Sequence, residues 1–335
     1  MFQAWRGRHD SGLVGIEASP DGIAIAHVVA GSGGRPRLQR CHFIASDAEV
    51  DDALPADADG AASHELMARP SPPSADQRPW ANQLKDKIQQ LGLGNHLVNW
   101  VMPSNQYSLL LVEAPKVPPE ELRDAIRWRI KDLSPLPVEE ATLDVFQLPQ
   151  DGTRNAARMV YVVVARKLDV QHAVDLVQTT RLKLHSIDIV EMCLRNLAER
   201  VVEDNRGIAF VRLRPGSGNL ALVRQEKLYL SRQFDLPYNG GLFDALPEEQ
   251  LVLELQRSLD YYERQMGQVP PSRIVFCGDN VSTDKITDNL RFGLPGHAEC
   301  LQMPRVLEGV EPFDENLLGL CLGAIGGAMR RLVAA

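Results

Sequence analysis

LVGIEASPDGIAIAHVV, residues 13–29, decides the fold of this chain, because two apolar runs meet there at a turn that contains Pro20 and Gly22. Apolar runs on either side of a short turn are typical of a β-hairpin. The same order of strand, glycine-containing turn and strand returns at residue 208, in IAFVRLRPGSGNLALVRQEKLYLSRQF. Because a repeated pattern indicates a repeated structural unit, we predict two halves of βββα type. Each hairpin either cradles phosphates or only contributes to the core of a sheet.

The length and the charge of the chain narrow its class. Its 335 residues exceed what one hydrophobic core usually serves, which favours two domains or one duplicated domain. With 44% apolar residues, the chain can build a large core. The formal net charge of -8 opposes binding to nucleic acid, which needs a basic field, and we exclude nucleic acid as a partner.

The cysteines and the apolar runs predict a cytoplasmic protein. The five cysteines are far apart and form no CxxC, so neither a zinc site nor a disulfide framework is indicated. The N-terminus lacks a secretory signal, and no run reaches the roughly 18 apolar residues of a membrane span. The closest run lies in a helix predicted over 315–331, where Gly323 and Gly327 favour close packing over membrane dimerisation.

Changes in composition divide the chain into segments. Residues 46–79 are rich in Asp, Ala, Ser and Pro and nearly lack large apolar side chains, which predicts a disordered insert. The predicted segments are a flexible N-terminus (1–12), a first half that contains the disordered insert (13–103), a small inserted subdomain (104–165), connecting helices (166–207) and a second half (208–335).

Several stretches resemble known families. VGIEASPDGIAIAHV, residues 14–28, resembles the first phosphate hairpin of the actin, heat-shock chaperone and sugar-kinase superfamily. PSNQYSLLLVEAPKVPPEELRDAIRWRIKDLSPLPVEEATLDVFQLP, residues 103–149, resembles the small inserted subdomain of the PilM family, actin-like cytoplasmic proteins of type IV pilus assembly. The stretches 162–189, 253–267 and 274–280 extend the similarity over almost the whole chain. This resemblance implies an α/β, actin-like (ribonuclease H-like, duplicated) ATPase fold with a small inserted α+β subdomain.

The resemblance also implies where a nucleotide would bind. The corresponding residues are Glu17, Ser19 and Gly22 in the first hairpin, Gly216, Ser217 and Gly218 in the second, and Gly278 and Asp279 after a later strand. In this superfamily an acidic residue in each phosphate hairpin positions magnesium and water, because a triphosphate needs its charge neutralised and its attacking water oriented.

Several of these positions depart from the family pattern. Arg212 and Arg214 stand in the second hairpin, so that positive charge lies where the metal would be held. Pro20 has no backbone N–H to offer to a phosphate, and Asp279 would repel one. We therefore predict a degenerate site with no catalytic residue, no metal site and no certain cofactor, and leave weak binding of ATP with Mg²⁺ open. The rival hypothesis is an active ATP-hydrolysing actin-like ATPase of the same machine.

The resemblance implies a binding function for the inserted subdomain. In the PilM family, a groove beside this subdomain receives the N-terminal cytoplasmic tail of a PilN-like inner-membrane protein. We place this groove at Leu109, Leu111, Ile126 and Ile130, although each of them taken singly fits a core residue better. The resemblance further implies contact with the pilus assembly platform and its motor ATPase, and a cytoplasmic protein that is peripheral to the inner membrane through its partners.

Overall fold

The computed structural model describes residues 12–46, 79–134, 136–149 and 158–330. The predicted flexible N-terminus and disordered insert fall almost wholly outside the described residues. In chain order, the first elements are β1 (Leu13–Ser19), β2 (Gly22–Ala30), β3 (Pro36–Ala45), α1 (Pro79–Gln90), β4 (Leu97–Val101), β5 (Tyr107–Glu113), α2 (Leu122–Arg129), β6 (Ala141–Gln147), β7 (Met159–Arg166), α3 (Lys167–Thr179), β8 (Lys183–Asp188) and α4 (Val190–Ala198). The later elements are β9 (Ile208–Arg214), β10 (Ser217–Arg224), β11 (Lys227–Asp235), α5 (Glu248–Arg264), β12 (Arg273–Gly278), α6 (Asp288–Gly293), β13 (His297–Cys300), α7 (Met303–Val306), α8 (Glu315–Leu320) and α9 (Leu322–Ala328).

The two halves have the same topology. The first sheet has the order β3-β2-β1-β4-β8, and the second has the order β11-β10-β9-β12-β13. In each sheet the first three strands in sequence pair antiparallel. The fourth strand pairs in parallel with the first, and the fifth pairs in parallel with the fourth. The predicted duplication of an α/β unit is therefore confirmed.

Two segments differ from their sequence-based description. The stretch 166–207 contains strand β8 between helices α3 and α4, and β8 pairs in parallel with β4 at the edge of the first sheet. A parallel neighbour needs a crossover connection, which α3 supplies. The helix predicted over 315–331 is divided into α8 and α9, with Cys321 between them.

The main core lies between the two sheets and contains α4 and α9. Helix α9 has the sequence LGAIGGA, so its surface is made mostly of small residues. A Cβ atom added at Gly326 would lie 2.4 Å from the Cys193 carbonyl oxygen of α4, and one at Gly323 would lie 2.3 Å from Oε2 of Glu17. Glycine is therefore needed where α9 packs against its neighbours, which confirms the packing interpretation of Gly323.

The insert, formed by β5, α2, β6 and β7, rests on both halves. Its sheet has the order β5-β7-β6, and α2 covers one face of it. On the side of the first half, the Tyr107 hydroxyl donates to Oε2 of Glu191 on α4 (2.6 Å). On the side of the second half, the backbone N–H of Ser231 on β11 donates to the Tyr161 hydroxyl (3.0 Å). These contacts fix the position of the insert relative to the two sheets.

All five cysteines are free and buried. Within the described ranges, no helix has both the length and the apolar character that crossing a bilayer requires.

Candidate functional site

The cleft is the space between the first hairpin, β1–β2, and the second hairpin, β9–β10. Two equivalent positions of the two halves meet in it. Glu17 lies on β1 opposite Val101 of β4, and Arg212 lies on β9 opposite Cys277 of β12. Their side chains form a bidentate pair, in which Nη1 donates to Oε1 (2.6 Å) and Nη2 donates to Oε2 (2.9 Å). Both side chains are buried, with 3% of Glu17 and 1% of Arg212 exposed. A cation of the second half therefore binds the acid that the first half carries at the matched position.

The surroundings favour the ionised form of Glu17. Burial by itself would raise the pKa of this carboxyl group, but the charges of Arg212 and Arg214 and the hydrogen bonds from Arg212 and the Gly323 backbone hold its pKa below the ordinary value. The N–H of Gly323 belongs to the first turn of α9, so the positive end of a helix also faces this carboxylate.

A second arginine closes the mouth of the cleft. Nη2 of Arg214 donates to the Ser19 hydroxyl (3.1 Å) and to Oδ2 of Asp21 (2.7 Å) in the first hairpin. Its Nε lies 3.7 Å from Oδ2 of Asp279, and its Nη1 lies 3.8 Å from Oε1 of Glu17. Burial raises the pKa of Asp279, although Arg214 opposes this shift. The charges in the cleft are thus mostly matched by other side chains of the chain itself.

The glycines at the cleft serve close packing in several places. A Cβ at Gly278, where φ is +126°, would lie 1.9 Å from the Leu213 carbonyl oxygen. A Cβ at Gly218 would lie 2.3 Å from the Phe234 ring. Gly216 has a φ of +74° and open space around it, so it serves the turn. Gly22, with a φ of +150°, packs against the Ile44 carbonyl oxygen.

The space left in the cleft is small. The cavity between the first and second hairpins has a volume of about 190 Å³, and Ser19, Ser217 and Asn219 are among the residues that line it. Both carboxylate oxygens of Glu17 accept from Arg212, so a divalent cation placed at Glu17 would meet the guanidinium group. In the part of the chain that the structure describes, no cluster of three His, Cys, Asp or Glu residues could hold a metal ion. The donor set at Glu17 therefore does not fit Mg²⁺.

A larger cavity lies between the insert and the first half. Its volume is about 650 Å³, and its lining comes from β6, β7, α4, the end of β8 and the residues after α9. Three methionines, Met102, Met192 and Met329, contribute to this lining. Methionine side chains adapt to irregular apolar partners, and the lining also carries charged side chains such as Asp144 and Arg195, so it suits a segment with both apolar and polar side chains. We call this cavity the groove.

The floor of the groove carries a buried carboxylate. Asp188, at the end of β8, is 6% exposed and accepts from Nδ2 of Asn99 (3.3 Å) and from Nη1 of Arg330 (2.6 Å). Its other oxygen accepts the backbone N–H of Ile189 (3.1 Å). Asn99 also donates to the Gly327 carbonyl oxygen of α9 (3.0 Å). The strand end, α9 and the chain after it are therefore joined at the groove.

Strand β6 borders the groove with an open edge. The Lys167 N–H donates to the Glu140 oxygen (2.8 Å), and the Leu148 N–H donates to the Met159 oxygen (3.2 Å). These bonds place the even-numbered residues of β6 in the hydrogen-bonded pairs with β7, because such pairs alternate in an antiparallel ladder. The backbone of Val145 consequently faces the open side, where its N–H donates to Oδ1 of Asp144 (2.9 Å).

The four residues predicted for the groove lie elsewhere in the insert. Ile126 and Ile130 are fully buried between α2 and the sheet. Leu109 and Leu111 are half-buried on β5, at the edge of the sheet opposite β6. Among the described residues that line the groove, none is one of these four. The sequence signal for the lining from β6 is the stretch TLDVF, residues 142–146, where polar and aromatic residues alternate with Leu143 and Val145.

The duplicated sheets, the cleft between them and the insert define an actin-like ATPase fold, and the fold class predicted from the sequence is confirmed. The PilM-PilN type IV pilus biogenesis complex contains a chain that is 18% identical, with a TM-score of 0.66 and coverage of 96% of this chain and 99% of that one. The cytoplasmic domain of EpsL, an inner-membrane component of the type II secretion system of Vibrio cholerae, is 10% identical, with a TM-score of 0.50 and coverage of 92% and 98%.

A Bacteroides thetaiotaomicron protein with an actin-like ATPase fold and unknown function is 10% identical, with a TM-score of 0.48 and coverage of 91% and 97%. No family model and no curated protein matches the sequence. At these identities, the similarity to the first two structures, with TM-scores of 0.66 and 0.50, shows the fold alone.

Proposed function

We propose that this protein is a PilM-like scaffold of a type IV pilus assembly machine, and that its groove binds the N-terminal cytoplasmic tail of a PilN-like inner-membrane protein. Its similarity to a chain of the PilM-PilN complex over 96% of its length supports the class of machine. The stretches of sequence that resemble the PilM family support it independently. The observation that carries the binding function is the open edge of β6 beside the groove.

An extended tail would use this edge as an added strand. Residues 143, 145 and 147 present backbone groups to the open side, so a peptide can pair with them through main-chain hydrogen bonds. The seven residues of β6 extend over about 23 Å, because a strand rises about 3.3 Å per residue, and six or seven peptide residues would fit alongside. Apolar side chains of the tail would enter the lining of methionines.

The proposal assigns a non-catalytic role to the cleft. Arg212 occupies the position of the second acid, and its pair with Glu17 leaves neither carboxylate oxygen for a metal ion. We infer that ATP with Mg²⁺ binds weakly and is not turned over. The competing candidate, an active ATPase of the same machine, requires steady phosphate release by the purified protein, and a phosphate-release assay with Mg²⁺-ATP separates the two.

Within the PilM-like proteins, we assign this chain to the MSHA pilus as its MshI component. The resemblance of the sequence to that member over almost the whole chain supports this assignment. The protein would lie at the cytoplasmic face of the inner membrane and be held there by the PilN-like partner. The assembly platform and its motor ATPase are further partners in this proposal.

Titration of a fluorescent peptide with the sequence of the partner's N-terminal tail tests the groove. Val145→Pro removes the edge N–H, and a strand edge tolerates proline where the N–H faces outward. We expect Val145→Pro to weaken binding at least about tenfold, or about 1.4 kcal/mol. Val145→Thr keeps the N–H and a similar shape, and serves as the matched control.

Both variants must first show a cooperative thermal unfolding transition, which establishes that they are folded. Equal peptide affinity of Val145→Pro and Val145→Thr would place the tail away from β6. No binding of the tail to the wild-type protein would contradict the proposed function itself.

A further inference from the structure

We propose that the Glu17–Arg212 pair is a built-in closure of the cleft, which holds the two halves in one closed arrangement without any ligand. In this arrangement, the guanidinium group of one half takes the place that a bound ligand would need to bridge the halves. The inference concerns motion between the halves and does not depend on the binding of a tail in the groove.

Glu17 and Arg212 occupy equivalent positions of the two halves. Glu17 and Arg212 are separated by 195 residues, and so are Ser19 and Arg214, which also form a hydrogen bond (3.1 Å). The duplicated strands β1 and β9 therefore face each other across the cleft at matched positions, and two such matched pairs are bonded. A relative movement that opened the cleft would break both contacts at once.

Burial makes the first of these contacts costly to break inside the folded protein. Glu17 and Arg212 are 3% and 1% exposed, so water reaches neither charge while the halves stay closed. A separation too small to admit water would leave two buried charges without their partner, and such charges are strongly destabilising in an interior. Arg214 is 14% exposed and adds a link to Asp21 at the rim.

The helices at the base of the cleft leave little room for sliding. Gly323 of α9 lies against Glu17, since a Cβ there would be 2.3 Å from Oε2. Gly319 of α8, four residues earlier, lies against β12, since a Cβ there would be 2.5 Å from the Gly278 oxygen. Gly15 of β1 lies against α9 in the same way, with 1.9 Å to the Ala324 oxygen. Helices α8 and α9 thus pack closely against both halves. A shear movement would drive the backbones of these helices into those of the neighbouring strands.

A distance measurement between the two halves tests the closure. Gln89 on α1 and Asp260 on α5 are exposed and lie on outer helices of the first and second halves. Spin labels on the variant Gln89→Cys/Asp260→Cys report the distance by pulsed electron paramagnetic resonance, and the five native cysteines are buried away from the labelling reagent. We expect one narrow distance distribution that Mg²⁺-ATP at saturating millimolar concentration leaves unchanged.

The same labels in a Glu17→Gln background separate the pair from the rest of the interface. Glutamine keeps the shape of the side chain and removes its charge, so we expect a broadened or shifted distribution. A Glu254→Gln background is the control, because Glu254 pairs with Arg232 within the second half (2.8 Å) and should leave the distribution narrow. A shift of the wild-type distribution on addition of Mg²⁺-ATP would overturn the proposal, and so would a narrow, unshifted distribution in the Glu17→Gln variant.

Discussion

The hairpin β1–β2 of the first half and the hairpin β9–β10 of the second half share their strand pairing and differ in charge. Each hairpin pairs antiparallel, and each leads a sheet of the same order. At the matched position the first hairpin carries Glu17 and the second carries Arg212. After the matched Ser19 and Arg214, each turn has a proline as its next residue. The duplication therefore preserves the backbone, and the acid at the matched position of one hairpin is neutralised by the cation of the other.

The largest expected effect comes from the removal of the cation of this matched pair. Arg212→Met keeps much of the length of the side chain but leaves Glu17 buried without its partner. We expect a loss of about 3–5 kcal/mol in the free energy of unfolding, because an unpaired buried charge is strongly destabilising. Urea denaturation at pH 7 measures it.

Two further variants show whether the effect belongs to the charge. The double variant Glu17→Gln/Arg212→Met should recover at least half of the loss, since no buried charge remains unpaired. Arg232→Met breaks a partly exposed pair with Glu254 and should cost less than about 1 kcal/mol. Equal losses in Arg212→Met and Arg232→Met would show that the pair in the cleft contributes no more than a surface pair.

A smaller effect is expected where α9 meets the first hairpin. Gly323→Ala places a Cβ atom 2.3 Å from Oε2 of Glu17, so that the helix or the carboxylate must move. Overpacking of this kind costs about 1–3 kcal/mol, measured again by urea denaturation. Gly94→Ala is the matched control, because nothing lies within 4 Å of its added Cβ. If both variants unfold at the same urea concentration, the contact between α9 and Glu17 is not tight.

The dependence of the unfolding free energy on pH tests whether Glu17 is ionised in the folded protein. The folded state lowers the pKa of Glu17 below its ordinary value of 4.5, mainly because Arg212 offsets the effect of burial. The stability that ionised Glu17 contributes is therefore complete above about pH 4.5 and is lost as the pH falls through the lowered pKa. The difference in unfolding free energy between wild type and Glu17→Gln should be constant from pH 7 to about pH 5 and shrink below it. A difference that stays constant down to pH 3 would contradict this assignment.

The smallest effect on the free energy of unfolding is expected at Asp279, where removal of the charge should increase stability. Burial raises its pKa above the ordinary value of 3.8, so the ionised form costs stability at neutral pH. Asp279→Asn should stabilise the protein at pH 7, and this gain should vanish below about pH 3.8. The exposed Asp260→Asn should leave stability unchanged at both pH values. Lower stability of Asp279→Asn at pH 7 would mean that the contact with Arg214 outweighs burial.

The cleft and the groove show how much of the candidate site could be predicted from the sequence. The sequence shows Arg212 where the resemblance implies an acid, because the chemistry of one residue can be read without the fold. The partner of Arg212 could not be predicted from the sequence, since Glu17 is 195 residues away and only the packing of the two sheets brings the two residues together. The four residues predicted for the groove, Leu109, Leu111, Ile126 and Ile130, do not line the cavity beside β6, and the site that receives a tail stays a prediction.

The sequence by itself determined the hairpins, their repetition at residue 208 and hence the duplicated fold, because alternation of apolar residues and turn residues acts locally along the chain. It also determined that small residues at the end of the chain pack closely. Only the tertiary structure decided which strand of the insert has an open edge and which charges neutralise each other. Edges and ion pairs depend on which distant segments become neighbours, and a local pattern carries no record of that choice.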